Sequence, residues 1–174
     1  KRVLSYSAIF HSGLLLFGLS LGNFEAFVGS LFYIVIYFTL VLHIFSTVLG
    51  GQNSLNNSIL KVTSNFGYLY KSNRFLGISL VIALFSLAGI PPLSGFFSKL
   101  FIFFAGIKQG YLLLSIILIM LSAGGATYYL RVIRSAMFFN KKRTWLCFNQ
   151  ISKGNAYLVS FLLLLNMSIV WWSS

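Results

Sequence analysis

Apolar runs about as long as a bilayer is thick alternate with short polar or basic segments along this chain. The first run covers 3–22 and is entered by Lys1 and Arg2; the second covers 26–49. A polar segment, 50–74, follows, with Asn53, Asn56, Asn57 and Asn65 beside Lys61, Lys71 and Arg74. The third run, 75–108, is the longest and is interrupted. A fourth covers 111–130, with helix expected to continue to about 139. A basic segment then leads to a last run, 156–172. Each uninterrupted run is near the ~20 residues that a helix needs to cross a bilayer. The pattern predicts an all-α polytopic membrane protein, one membrane domain over 1–174.

The interruption lies within Leu84-Phe-Ser-Leu-Ala-Gly-Ile-Pro-Pro-Leu-Ser-Gly-Phe-Phe-Ser-Lys99, which holds both prolines of the chain, Pro91 and Pro92. Each proline lacks an N–H, and its ring clashes with the carbonyl four residues back. A continuous helix would therefore lose its bonds to the Leu87 and Ala88 carbonyls. Gly89 and Gly95 flank the break and permit unusual backbone angles. Two readings arise. One is a loop between two ordinary spans; the other is a single discontinuous transmembrane helix that carries Lys99 into the membrane. Irregular backbone is tolerated at membrane depth only where protein or a water-filled cavity satisfies the freed groups.

Charge separates the two readings. Thirteen Lys and Arg stand against one acid, Glu25. With one broken span there are about five crossings. Lys1, Arg2, Lys61, Lys71, Arg74, Arg131, Arg134, Lys141, Lys142, Arg143 and Lys153 then share one side, and Lys108 faces the other. With two spans the bases outside the membrane divide evenly. The positive-inside rule favours five crossings, the third discontinuous at Pro91-Pro92, with the N-terminus on the cytoplasmic or matrix side. Trp171 and Trp172 then fit an interfacial belt at the opposite face. The bases alone would suggest nucleic acid, but 58% hydrophobic and 8% charged residues, with a mean hydropathy of +0.89, exclude a soluble domain. One cysteine, Cys147, excludes an intrachain disulfide and a multi-cysteine metal site. No metal, phosphate-loop, nucleophile or signal-peptide pattern occurs. The chain opens on Lys1 rather than Met, which fits processing, trimming or an unusual start. Nineteen Phe fit an AU-rich coding system such as an organelle genome.

Five crossings put Lys99 about 10 Å beyond Pro92 along the second half-helix, at ~1.5 Å per residue. An uncompensated lysine at mid-bilayer costs about 2.5–3.5 kcal/mol on insertion scales, part of which snorkelling relieves. Burial disfavours a charged amine, and the positive end of the second half-helix faces the break. Such a lysine is a candidate proton carrier. Ser94 and Ser98 are candidate hydrogen-bond partners or water holders, and the freed carbonyls are further water acceptors. The carrier needs a charge that sets its state, yet Glu25 is expected in a short loop at the far end of a helix. Either Lys99 cycles through water alone, or its carboxylate partner or a competing lysine lies on another polypeptide; the second is the expectation. Histidine as a residue type titrates near neutrality, so His11 and His43 are either packing residues or inward relays to Lys99. Tyr128, Tyr129 and Thr127 are open to belt and relay readings, and the belt reading suits the tyrosines better. Gly124-Gly125 is expected to admit a neighbouring helix.

Three segments carry a family resemblance. Lys1-Arg-Val-Leu-Ser-Tyr-Ser-Ala-Ile-Phe-His11-Ser-Gly13 resembles the "KR-x-LAYSS-I-x-H-x-G" segment of subunit 2 of respiratory complex I, the proton-pumping NADH:ubiquinone oxidoreductase. The 85–99 stretch is similar to its "LSLAGIPPLAGFFxK" segment, and Tyr128-Tyr129-Leu-Arg131 with Met137 to "YYYLR…M". The resemblance implies the C-terminal part of the antiporter-like fold, its tenth to fourteenth helices, with Lys99 at the lysine of the discontinuous twelfth. The family's glutamate and two lysines in the fifth, seventh and eighth helices have no counterpart here, so the inverted repeat is cut partway. A split gene, with the N-terminal half on a separate chain, is the simplest account; a partial sequence is the alternative. Arg74-Phe75 departs from the proline that often enters the broken helix, and the acid common in the preceding loop is absent.

The implied function is proton translocation in the membrane arm, with Lys99 as carrier and His11 and His43 as candidate relays. The chain itself is expected to bind no cofactor. NADH, FMN, iron–sulfur clusters and ubiquinone would belong to other subunits. The implied location is the mitochondrial inner membrane, with the N-terminus in the matrix and the C-terminus in the intermembrane space. Expected partners are other membrane-arm subunits, the chain carrying the N-terminal half, and anionic lipids such as cardiolipin on the basic face. Two alternatives are a subunit of a cation/proton antiporter complex and a membrane scaffold that has lost transport.

Overall fold

The computed structural model describes residues 2–50, 70, 73–137 and 153–172. Six helices are described: α1 (Arg2–Ser20), α2 (Phe24–Gly50), α3 (Arg74–Ala88), α4 (Ser94–Lys108), α5 (Leu112–Met137) and α6 (Lys153–Trp172). No strand occurs among the described residues. The runs expected at 3–22, 26–49, 111–130 and 156–172 fall on α1, α2, α5 and α6. The run at 75–108 is divided between α3 and α4. Lys61, Lys71, Lys141, Lys142, Arg143, Cys147 and the end of the extension to 139 lie outside the described residues. So do the side chains of Trp171 and Trp172.

α2 is the central post. At 27 residues it is about 40 Å long, and it packs against α1, α3, α4 and α6. Its buried residues, Ala26, Gly29, Ser30, Tyr33, Ile36, Leu40, His43, Ile44 and Thr47, recur three or four apart and define one helical face. Ile36, Leu40 and Ile44 meet Leu80, Leu84 and Leu87 of α3, with Tyr129, Val132 and Ile133 of α5, in the largest apolar cluster. α3 begins at Asn73, whose side chain accepts the Phe75 N–H at 3.2 Å, a cap for one of the unpaired first-turn donors.

α2 and α5 are each long and apolar enough to cross a membrane. α3 and α4 are not. Each has 15 residues, about 22 Å, against a hydrocarbon core of ~30 Å. α5 packs mainly through one end. Tyr129, Val132, Ile133 and Ala136 are buried, whereas Leu113 and Met120 are 73% and 72% exposed. Gly124 and Gly125 fall on this loosely packed stretch. A Cβ at either would meet nothing within 4 Å, so the expected close helix approach is not made among the described residues.

Candidate functional site

The site grows from how the chain closes α3. Gly89 ends the helix at φ +83, a left-handed conformation that glycine adopts without a Cβ penalty. Its N–H donates to the Ser86 carbonyl at 3.0 Å, and the Ile90 N–H to the Phe85 carbonyl at 3.2 Å. This paired turn satisfies two of the four terminal carbonyls. The Leu87 and Ala88 carbonyls remain, the same two that the prolines deprive of helical partners. Lys99 takes both. Its Nζ donates to the Leu87 oxygen at 2.8 Å and to the Ala88 oxygen at 3.3 Å. A side chain from the next helix stands in for the missing main-chain donors.

Lys99 lies on α4, which starts at Ser94, and is only 6% exposed. Its amine sits at the C-terminal, negative end of α3, a favourable place for a cation. The positive end of α4 is thus opposed by a second helix end. Gly95 permits this approach. A Cβ there would lie 1.9 Å from the Ser86 carbonyl oxygen. The two serines expected beside the amine bond elsewhere. Ser98 donates to the Gly95 carbonyl, and Ser94 donates to Asn166 Oδ1 at 3.2 Å. Pro91 and Pro92 form the connecting turn, joined by a cis peptide bond.

His11 is buried on α1 and is held from both sides. Its Nδ1 bonds the Tyr33 hydroxyl of α2, and its Nε2 bonds the Tyr129 hydroxyl of α5 at 3.1 Å. The Tyr37 ring lies against it, 4.6 Å between centroids. Tyr129 is therefore an interior residue, 4% exposed, while Tyr128 at 60% faces outward. The belt reading does not fit the buried Tyr129. Thr127 is exposed and donates to the Gly124 carbonyl of its own helix. His11 and Lys99 line a common small void with Tyr33, Tyr37, Ser86 and Ser98, roomy enough for about one water. His43 belongs to a different stretch of α2. It is fully buried, and neither ring nitrogen has a hydrogen-bond partner among the described residues.

A wide groove between α1 and α5 opens onto this centre. Tyr6, Phe10, Met120 and Tyr128 form its rim, and His11 and Lys99 lie at its base. The chain's one acid is elsewhere: Glu25 pairs with Lys108 at 2.7 Å on the exposed side of α2 and α4.

Tyr33, Ser86 and Asn166 were not singled out in the sequence. Asn166 had a signal, a lone amide in a run (Leu162–Val170) whose only other polar residue is Ser168. Tyr33 and Ser86 had none, because tyrosine and serine are common in apolar helices.

Residues 1–127 match the model of the "NADH:quinone oxidoreductase/Mrp antiporter, TM" family. The chain belongs to that family. NADH-ubiquinone oxidoreductase chain 2 of Marchantia polymorpha is 37% identical over 160 residues, 92% of this chain and 32% of the relative. NADH-quinone oxidoreductase subunit N of Bartonella bacilliformis is 39% identical over 142 residues, 82% of this chain and 29% of the relative. The chain thus spans about a third of the length of the curated relatives it matches. Its fold is similar to that of a chain in respiratory complex I from Thermus thermophilus with bound aureothin. The TM-score is 0.81 at 24% identity, over 98% of this chain and 37% of that one. The antiporter-type family match extends through α1–α4 and most of α5, so it includes the helix break, Lys99 and His11; α6 lies beyond it.

Proposed function

We propose that this chain is part of the proton-translocating membrane arm of an NADH:ubiquinone oxidoreductase of the complex I type, and that Lys99 is its proton carrier. One observation carries the reading: a buried lysine whose amine is held by the carbonyls of a broken helix, beside a void it shares with a buried histidine. Buried ionisable groups in membrane helices are costly and are kept on proton and ion pathways. The names of the relatives supply the complex.

Neither α3 nor α4 is long enough to cross alone, so the pair acts as one discontinuous crossing. Together with α1, α2, α5 and α6 this makes five. The basic segments then share the matrix side of a mitochondrial inner membrane, with the C-terminus opposite, and anionic lipids such as cardiolipin suit that basic face. The sole acid is engaged by Lys108, so the charge that controls Lys99 comes from another chain or another part of subunit 2. The groove between α1 and α5 is its route of approach, and the partner is a hydrophobic segment with intramembrane glutamate and lysine. A separate polypeptide carrying the N-terminal half of subunit 2 fits this role. His11, tied to Tyr33 and Tyr129, is the inward relay nearest Lys99. His43 extends the path toward the basic side. Redox chemistry with NADH, FMN, iron–sulfur clusters and ubiquinone belongs to other subunits.

The test is Lys99→Ala in the assembled complex. Protons moved per electron in vesicles should fall more than the amount of complex does; an unchanged stoichiometry would sink the carrier role. A cation/proton antiporter complex is the second reading, favoured by the breadth of the matched family. Co-purification with flavin and iron–sulfur proteins supports the first reading, and an all-membrane complex the second. A scaffold without transport becomes the better account if Lys99→Met pumps and grows normally.

A further inference from the structure

We propose that Asn166 of α6 is a positioning residue for Lys99: through Ser94 and Ser86 it fixes the start of α4 against the end of α3.

Asn166 is 1% exposed. Its Nδ2 donates to the Leu162 carbonyl one turn back on α6 at 2.9 Å, which leaves Oδ1 as an acceptor aimed out of the helix. The Ser94 hydroxyl donates to that oxygen at 3.2 Å. With its proton committed there, Ser94 accepts from the Ser86 hydroxyl, 3.3 Å away. Ser86 in turn accepts the Gly95 N–H at 3.1 Å. The bonds run one way, from the Gly95 amide through two hydroxyls to the Asn166 amide. Each hydroxyl gives one proton and takes one, an arrangement in which successive bonds strengthen one another.

The chain of bonds replaces something α4 lacks. Its first turn has unpaired N–H groups like any helix, but Leu93 at the cap position makes no side-chain hydrogen bond. Capping comes instead from α3 and, at one remove, from α6. Gly95 and Lys99 are four residues apart and lie on one face of α4. Whatever holds the Gly95 amide therefore sets where the Lys99 amine emerges relative to Leu87 and Ala88. Ser86 and Lys99 also line the same void. α6 lies outside the 1–127 stretch that matches the family, so the clamp is anchored on a helix that the family pattern does not include.

The functional arm rests on the carrier reading of Lys99; the structural arm does not. Asn166→Leu, Ser94→Ala and the double variant would be made in the whole complex. Amide hydrogen exchange in the peptide holding Gly95–Lys99 should be about tenfold faster in each, as loss of one buried hydrogen bond implies. The double variant should be no faster than the singles, because all three break one chain. Protons moved per electron, per assembled complex, should drop with the same lack of additivity, while NADH oxidation stays at the wild-type rate. A residue that only holds the fold together would lower the amount of complex and leave that ratio unchanged. Wild-type exchange at Gly95–Lys99 overturns the clamp, as does a strictly additive double variant. If Asn166→Leu does not assemble, Ser94→Ala, which removes one hydroxyl, decides by the same criteria. Faster exchange together with normal pumping in Lys99→Ala would refute the carrier reading and leave the clamp standing.

Discussion

Lys99 and Lys108 belong to the same helix, and the chain treats them in opposite ways. Lys108 ends α4 with its side chain 64% exposed and faces a Glu25 side chain that is equally exposed. Water solvates both partners, so the pair contributes about 0–1 kcal/mol. Lys99 is almost wholly buried and is held by two main-chain oxygens rather than by a carboxylate. The single acid is placed where a lysine needs it least. The lysine that needs a counter-charge is met by the negative end of a helix. A full carboxylate beside Lys99 would lock one charge state. Two carbonyls hold the amine in place without contributing a net charge.

The comparison breaks most sharply at Gly95. Gly95→Ala puts a carbon on the Ser86 carbonyl. α4 must then move away from α3, carrying Lys99 off its acceptors and leaving the Gly95 N–H without Ser86. Several kcal/mol of buried polar contact is at stake, at ~1–3 kcal/mol for each unsatisfied group. The expected result is loss of most assembled complex, read on native gels.

The same substitution at both lysines tests the contrast directly. Arginine keeps a positive charge but does not release a proton in a protein. Lys99→Arg should therefore lose proton translocation even where complex accumulates, whereas Lys108→Arg should retain both assembly and pumping. Equal effects at the two positions would erase the distinction. The smallest effect is expected for Glu25→Gln. It should change thermal stability by no more than about 1 kcal/mol, and by less as salt is raised. A large loss of assembly would mean that the exposed pair is an interface in the complex.

Much of this arrangement was legible in the sequence because its causes are local. Two prolines dictate which carbonyls lose their partners, and the Leu87 and Ala88 oxygens are the ones that need another donor. The length of each apolar run anticipates its helix. What bonds to those carbonyls was not legible, since it depends on how α4 folds back against α3. The tie from His11 to Tyr33 and Tyr129 joins three helices and leaves no trace in spacing. Gly124-Gly125 shows the limit from the other direction. Small residues permit a close approach, but the partner helix must be present, and among the described residues α5 has none there.

One consequence follows from the way α3 is closed. In an intact helix every main-chain donor is rigidly fixed by its neighbours. Here the donor to Leu87 and Ala88 stands at the tip of a flexible four-carbon stem. That end of α3 is thus closed by one side-chain amine and not by the backbone, so a single substitution at Lys99 removes both of its donors while every main-chain hydrogen bond is left in place.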